Sequence, residues 1–98
     1  MILGKIGVAA MYEQLAEEGA ELTKAALKMA RILRGENPTP LTIGEAMRAL
    51  HEEVTDVQIC LDELALEPVK AVRKKKLFRF QERWREWIGN KGRKESQK

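Results

Sequence analysis

Apolar residues recur every three or four positions through most of this chain. In the first third they fall at Val8, Met11, Leu15, Leu22, Ala26, Met29 and Leu33, with Gly19 at the step between Leu15 and Leu22. That spacing lines one side of a helix and predicts one from about Lys5 to Arg34. Arg31, Arg34 and then Gly35 supply the cations and the glycine that suit a helix C-terminus. Asn37-Pro38-Thr39-Pro40 reads as a rigid loop. Thr42, with Glu45 three residues on, predicts a capping box at the start of a second helix. The main apolar stripe of that helix, Ile43, Met47, Leu50, Val54, Val57, Leu61 and Leu64, alternates steps of four and three without a break. Pro68 suits the first turn of a third helix, expected from about Val69 to Ile88. Its apolar side is Val72, Leu77, Phe80, Trp84, Trp87 and Ile88. Gly89-Asn90 is expected to end it, and the polar tail 90–98 to fray.

The predicted fold is therefore all-α, an antiparallel bundle of about three main helices. No run of alternating β-branched residues competes with that reading. A chain of 98 residues makes one small domain, here 1–89 with its tail. A three-helix unit of this size buries little by itself, so oligomerisation is an expected supplement. The single cysteine, Cys60, excludes an internal disulfide framework and fits a reducing compartment. With only His51 beside it, a thiolate-imidazole zinc site is implausible within one chain. Cys60 is expected to be a small core residue and His51 a surface one. The N-terminus lacks a long apolar h-region, and no apolar run reaches membrane-spanning length. A cytoplasmic setting is expected.

Charge is distributed unevenly. Residues 1–69 hold 6 Lys/Arg against 12 Asp/Glu, a net of −6, and residues 70–98 hold 12 against 3, a net of +9. An acidic body followed by a basic segment suits a metal-bound polyanion, held by the ion on one side and by cations on the other.

The acidic residues cluster. Glu17, Glu18 and Glu21 stand on the first predicted helix, and Glu53 and Asp56 on the second. Carboxylates at i, i+3 share a helix face and repel one another. Brought together they call for a compensating cation, and hard divalent ions such as Mg²⁺ prefer such oxygen ligands. The short loop makes the two helices antiparallel neighbours. At about 1.5 Å per residue, the first acid pair lies roughly 20–24 Å from the loop and the second roughly 15–20 Å, nearly the same level. Glu18 falls between Leu15 and Leu22 at seam spacing. On the second helix, Ala46, Ala49, Glu53, Asp56 and Cys60 form a stripe beside the main apolar one, with small residues leaving room for ions and a ligand. A metal site between two helices is the expectation.

The Glu17-Glu18-x-x-Glu21 motif followed by Glu53-x-x-Asp56 resembles that of the MazG-like, all-α nucleoside triphosphate pyrophosphohydrolases. The likeness extends to Ala9-Ala10-Met11-Tyr12-Glu13-Gln14-Leu15-Ala16, to Ala25-Ala26-Leu27-Lys28, and to the run from Arg31 to Pro40, which look like a phage-associated branch. Lys76-Leu77-Phe78-Arg79 is similar to a Lys-x-x-Arg element found there. The likeness covers about residues 5–88. Two features depart from the pattern: a long gap between the acid motifs, absorbed by the proline loop, and Gly19 inside the first motif.

The resemblance implies Mg²⁺-dependent cleavage between the α- and β-phosphates of a nucleoside triphosphate, with Mn²⁺ as a substitute ion. It implies Glu18, Glu21, Glu53 and Asp56 as metal ligands and Glu17 as the acid that orients or deprotonates water. Lys76 and Arg79 would face the triphosphate, with Lys28 and Lys24 as lesser candidates, and Gln14 could reach a base or ribose. A homodimer or homotetramer is implied. Trp84 and Trp87 beside Phe80 fit a core or a subunit interface better than a base-stacking platform, and Glu52 fits a solvated surface. A different class stays open: a non-catalytic nucleic-acid-binding or adaptor protein using the basic third helix. A nucleotide binder without hydrolysis is a further rival.

Overall fold

The computed structural model describes residues 2–36 and 41–96 and contains four helices, with no strand among the described residues. They are α1 (Leu3–Ile6), α2 (Val8–Leu33), α3 (Ile43–Glu63) and α4 (Lys70–Ser96). The chain divides into two compact units, Met1–Glu67 and Pro68–Lys98. The all-α expectation holds, and no described helix is long and apolar enough to cross a membrane.

The first predicted helix is in fact two. Gly7 adopts φ 89° and ψ 163°, a conformation closed to residues with a Cβ, and this breaks the helix between Ile6 and Val8. α1 is held by two kinds of contact. It packs on α2, and the Ile2 backbone N–H donates to Glu63 Oε1 at 3.1 Å, which ties the start of the chain to the end of α3. The Asn37–Pro40 loop expected from the sequence lies outside the described residues.

Helix ends follow local chemistry. α2 closes in a Schellman motif: Glu36 N–H reaches Arg31 O at 2.9 Å and Gly35 N–H reaches Ile32 O at 3.1 Å, with Gly35 at φ 72°. α3 opens with the predicted capping box. Glu45 N–H donates to Thr42 Oγ1 at 3.1 Å, and Thr42 N–H donates to Glu45 Oε1 at 3.3 Å. α3 closes in a second Schellman motif, Leu66 N–H to Leu61 O at 2.9 Å and Ala65 N–H to Asp62 O at 3.1 Å. Here an alanine takes the left-handed position, at φ 54°.

α2 and α3 form the hairpin that carries the first unit. Its buried apolar residues, among those described, are Met11 and Met29 on α2 and Ala46 and Cys60 on α3. The seam on α3 is thus the small-residue stripe, not the main apolar one. Leu50, Val57, Leu61 and Leu64 are only half-buried, and Ile43, Met47 and Val54 are exposed. Small residues of this stripe take the buried positions, and Glu53 beside them is half-buried while Ala49 and Asp56 are exposed. Cys60 is the small core residue expected, and His51 and Glu52 are exposed as expected.

The second unit is a single helix. α4 runs past Gly89-Asn90 to Ser96, so the predicted stop at Ile88 is corrected. Glycine ends a helix when it turns left-handed, and Gly89 does not. The surrounding Arg, Lys and Glu are good helix formers that outweigh its intrinsic cost of about 1 kcal/mol. Trp84 and Trp87 meet edge to face, with ring centroids 5.4 Å apart and planes at 79°. The Lys91 ammonium lies 5.1 Å from the Trp87 ring. Within this unit the aromatic side has no partner helix.

Candidate metal centre

Seam packing brings residues distant in sequence together. Glu18 from α2 and Glu53 and Asp56 from α3 each offer a carboxylate oxygen within 4.8 Å of the others. Glu18 and Glu53 are half-buried, and Asp56 is exposed. Two oxygens on one Mg²⁺, each about 2.1 Å from it, stand at most about 4.2 Å apart. A small side-chain rotation closes the difference, so the donor set fits a hard divalent ion: all oxygen, anionic, and drawn from two helices.

Each acid has a local reason for its place. Glu18 is fixed by Gln14, whose Nε2 donates to Glu18 Oε1 at 2.8 Å, one turn away on the same helix. That bond restrains the Glu18 carboxylate beside the group. Glu53 sits on the small-residue stripe between Ala49 and Asp56. Its pKa is raised, first by desolvation in the seam and then by the charges of Asp56, Glu18, Glu21 and Glu52. The Cys60 thiol is raised too, by burial first and then by Glu18 and Asp56. The field at this point of the seam is negative.

Glu21, the fourth expected ligand, stands outside the three-oxygen group. It is exposed, and its Oε1 accepts from Lys24 Nζ at 3.4 Å. With Glu53 it lines a neighbouring cleft of about 250 Å³, which also holds Lys28, Ala25 and Ala49. Glu17 is exposed and lines neither this cleft nor the one described next. A second cleft of about 380 Å³ opens beside Glu18 and Asp56 and is walled by Ile2, Ile6, Met11 and Ile59. Lys76 and Arg79 lie on α4, one turn apart and exposed, in the second unit.

The contributions of Ile2 and Ile6 escaped the sequence reading, which began its first helix at about Lys5 and ran it through Gly7. A usable signal existed for the rest. In an antiparallel pair, positions at one level have residue numbers with a constant sum. Glu18 with Asp56, Glu21 with Glu53, and Ala25 with Ala49 share that sum, as do Gln14 and Cys60. No protein-family model, curated protein or solved structure matches this chain.

Proposed function

We propose that this chain is a Mg²⁺-dependent nucleoside triphosphate pyrophosphohydrolase. The observation that carries the reading is the convergence of Glu18, Glu53 and Asp56 from two helices within 4.8 Å, next to a cleft bearing Lys28. The motif resemblance to MazG-like enzymes supplies the reaction class. Water adds to the α-phosphorus, the bond to the α–β bridging oxygen breaks, and pyrophosphate leaves with a nucleoside monophosphate. Such a reaction asks for positioning and charge neutralisation more than for covalent catalysis.

Glu18, Glu53 and Asp56 would hold the ion, with Glu21 joining once its carboxylate leaves Lys24. A bound Mg²⁺ polarises phosphate oxygen and lowers the pKa of coordinated water. Gln14 acts by fixing Glu18. Lys28 and Lys24 supply positive charge for the polyphosphate on the loop side of the acids. Glu17 is exposed and lines neither cleft, so its role as the acid that takes the water's proton is carried by the motif resemblance alone. Assembly into a dimer or tetramer would cover the half-exposed stripe of α3. A second reading, nucleic-acid binding by α4, is favoured by the unbroken run of that helix to Ser96 with cations throughout.

The test is purified protein with Mg²⁺ and a panel of NTPs and dNTPs, followed by pyrophosphate release. Turnover is expected, reduced more than roughly 100-fold by Glu53→Gln and stopped by EDTA. Absence of turnover across the panel, with salt-dependent DNA binding instead, would overturn the proposal in favour of the second reading.

A further inference from the structure

The two clefts beside the acid cluster differ in chemistry, and this difference gives the site a direction. Toward the α2–α3 loop, the cleft of about 250 Å³ carries Lys24 and Lys28 among Glu21, Glu45 and Glu53. Toward α1, the cleft of about 380 Å³ is walled by Ile2, Ile6, Met11 and Ile59, with Cys60 at its base. Among the described residues, no lysine or arginine lines this second cleft. Apart from Glu18 and Asp56, its polar group is the Gln14 amide, already bonded to Glu18. Glu18 and Asp56 line the apolar cleft, Glu21 and Glu53 the charged one, and Glu53 lies within 4.8 Å of both Glu18 and Asp56. The two clefts are therefore neighbouring halves of one site.

We propose that the cleft against α1 takes the nucleobase of the substrate, while the phosphates run toward Lys24 and Lys28. The inference rests on the nucleotide reading above and adds the orientation and the residues that grip the base. The reverse orientation puts the phosphates beyond the ion's reach among isoleucines, with no lysine or arginine among the described lining residues, and puts an uncharged ring among two lysines and three glutamates. Each of those placements removes water from charge that the occupant cannot pair. A volume of about 380 Å³ falls within the range of about 300–1,000 Å³ for small-molecule sites, which are mostly apolar with few polar groups. Because one amide faces the base, the cleft sorts bases by size and shape more than by hydrogen bonding. A pocket of that kind discriminates weakly.

The test measures binding, not turnover. Calorimetry with Mn²⁺ present compares two probes: an α,β-methylene nucleoside triphosphate, which cannot be cleaved at that bond, and inorganic tripolyphosphate, which has no base. Ile6→Ala and Ile59→Ala change partly exposed residues, and each is checked for native helix content by circular dichroism. Each is expected to weaken the nucleotide analogue roughly tenfold and to leave tripolyphosphate within about twofold. Lys28→Ala is expected to weaken both probes. Equal effects of the isoleucine variants on both probes, or none on either, would overturn the orientation. So would a change in sedimentation with affinity unmoved, which would make the cleft a contact between copies of the chain. If the analogue binds as expected but no triphosphate is hydrolysed, hydrolysis falls and the base cleft stands. If hydrolysis occurs and the isoleucine variants bind normally, the reverse holds.

Discussion

Gly19 offers a direct test of how the first unit is built. It lies inside α2 at a helical position where alanine is favoured by about 0.8–1.0 kcal/mol. Sequence alone leaves two reasons for a glycine there: room for a neighbour, or none at all. An ideal Cβ placed on Gly19 meets nothing within 4 Å, and the residue does not adopt positive φ. Its carbonyl accepts from Thr23 Oγ1 at 2.9 Å, a bond that needs no room on the Cβ side. Gly19→Ala should therefore recover the propensity difference without a steric penalty. For a domain of this size, about 1 kcal/mol corresponds to roughly 4–8 °C in Tm. Thermal melts by circular dichroism, run at low and high protein concentration in EDTA, measure the change. A rise of about 3–8 °C at both concentrations is expected. An unchanged or lowered Tm, or a gain that vanishes as concentration rises, would refute the reasoning, because a second copy would then occupy that space.

Ala65 should respond in the opposite sense: at φ 54° a Cβ costs about 1–2 kcal/mol, so Ala65→Gly is expected to raise the denaturant midpoint, less the part offset by a more flexible unfolded chain, and a lowered midpoint would contradict it. Glu53 gives a pH dependence. Its folded pKa is raised, so the folded state binds the proton more tightly than the unfolded state does. The stability this contributes is fully present below the ordinary glutamate pKa and is lost as pH rises through the raised folded value. Glu53→Gln should thus stabilise the metal-free protein at neutral pH, with the gain fading as pH falls through the raised folded value and gone below the ordinary glutamate pKa. Added Mg²⁺ should reverse the order, raising the Tm of the parent chain and not that of the variant. Melts across pH in EDTA and in Mg²⁺ would expose a wrong sign in either arm.

Much of the first unit was legible because its signals are local. The Thr42/Glu45 capping box and the Gly35 terminus are written in neighbouring residues, and the structure forms both. Backbone conformations set by context were not legible. Gly7 lies within the helix expected from about Lys5, yet its φ of 89° divides α1 from α2, and no composition rule flags an alanine at Ala65 as left-handed. Gly89-Asn90 resembled a stop, yet helix-forming neighbours carry α4 through it. The seam was half legible. Hydrophobicity ranks Ile43, Met47 and Val54 above Ala46, Ala49 and Cys60, but close helix contact selects for small size, and the buried residues come from the second group. For the site, equal spacing from the loop suffices to bring Glu18 to Glu53 and Asp56. Glu21 was expected in the same group from its i, i+3 spacing, which does not show that the side chain is exposed and pairs with Lys24.

Seam choice and acid placement are one physical fact. A hairpin optimised for stability alone would bury the leucine and valine stripe of α3 and turn its carboxylates to water. This one buries Ala46 and Cys60, and it half-buries Glu18 and Glu53 between them. The Glu53 pKa is raised there, first by desolvation and then by the neighbouring acids, and the better apolar stripe is left only half-buried or exposed. Such a trade makes sense if binding a cation offsets it: at a free-ion concentration one hundred times Kd, an ion bound to the folded state alone contributes about 2.7 kcal/mol. The three substitutions then separate what serves the fold from what serves the site. Gly19→Ala and Ala65→Gly should stabilise the chain with or without Mg²⁺, since neither touches a carboxylate. Glu53→Gln should stabilise only the metal-free chain and should lose the ion. Were Glu53→Gln to stabilise equally under both conditions, the seam acids would be a plain defect of packing, and the case for a metal centre would go with them.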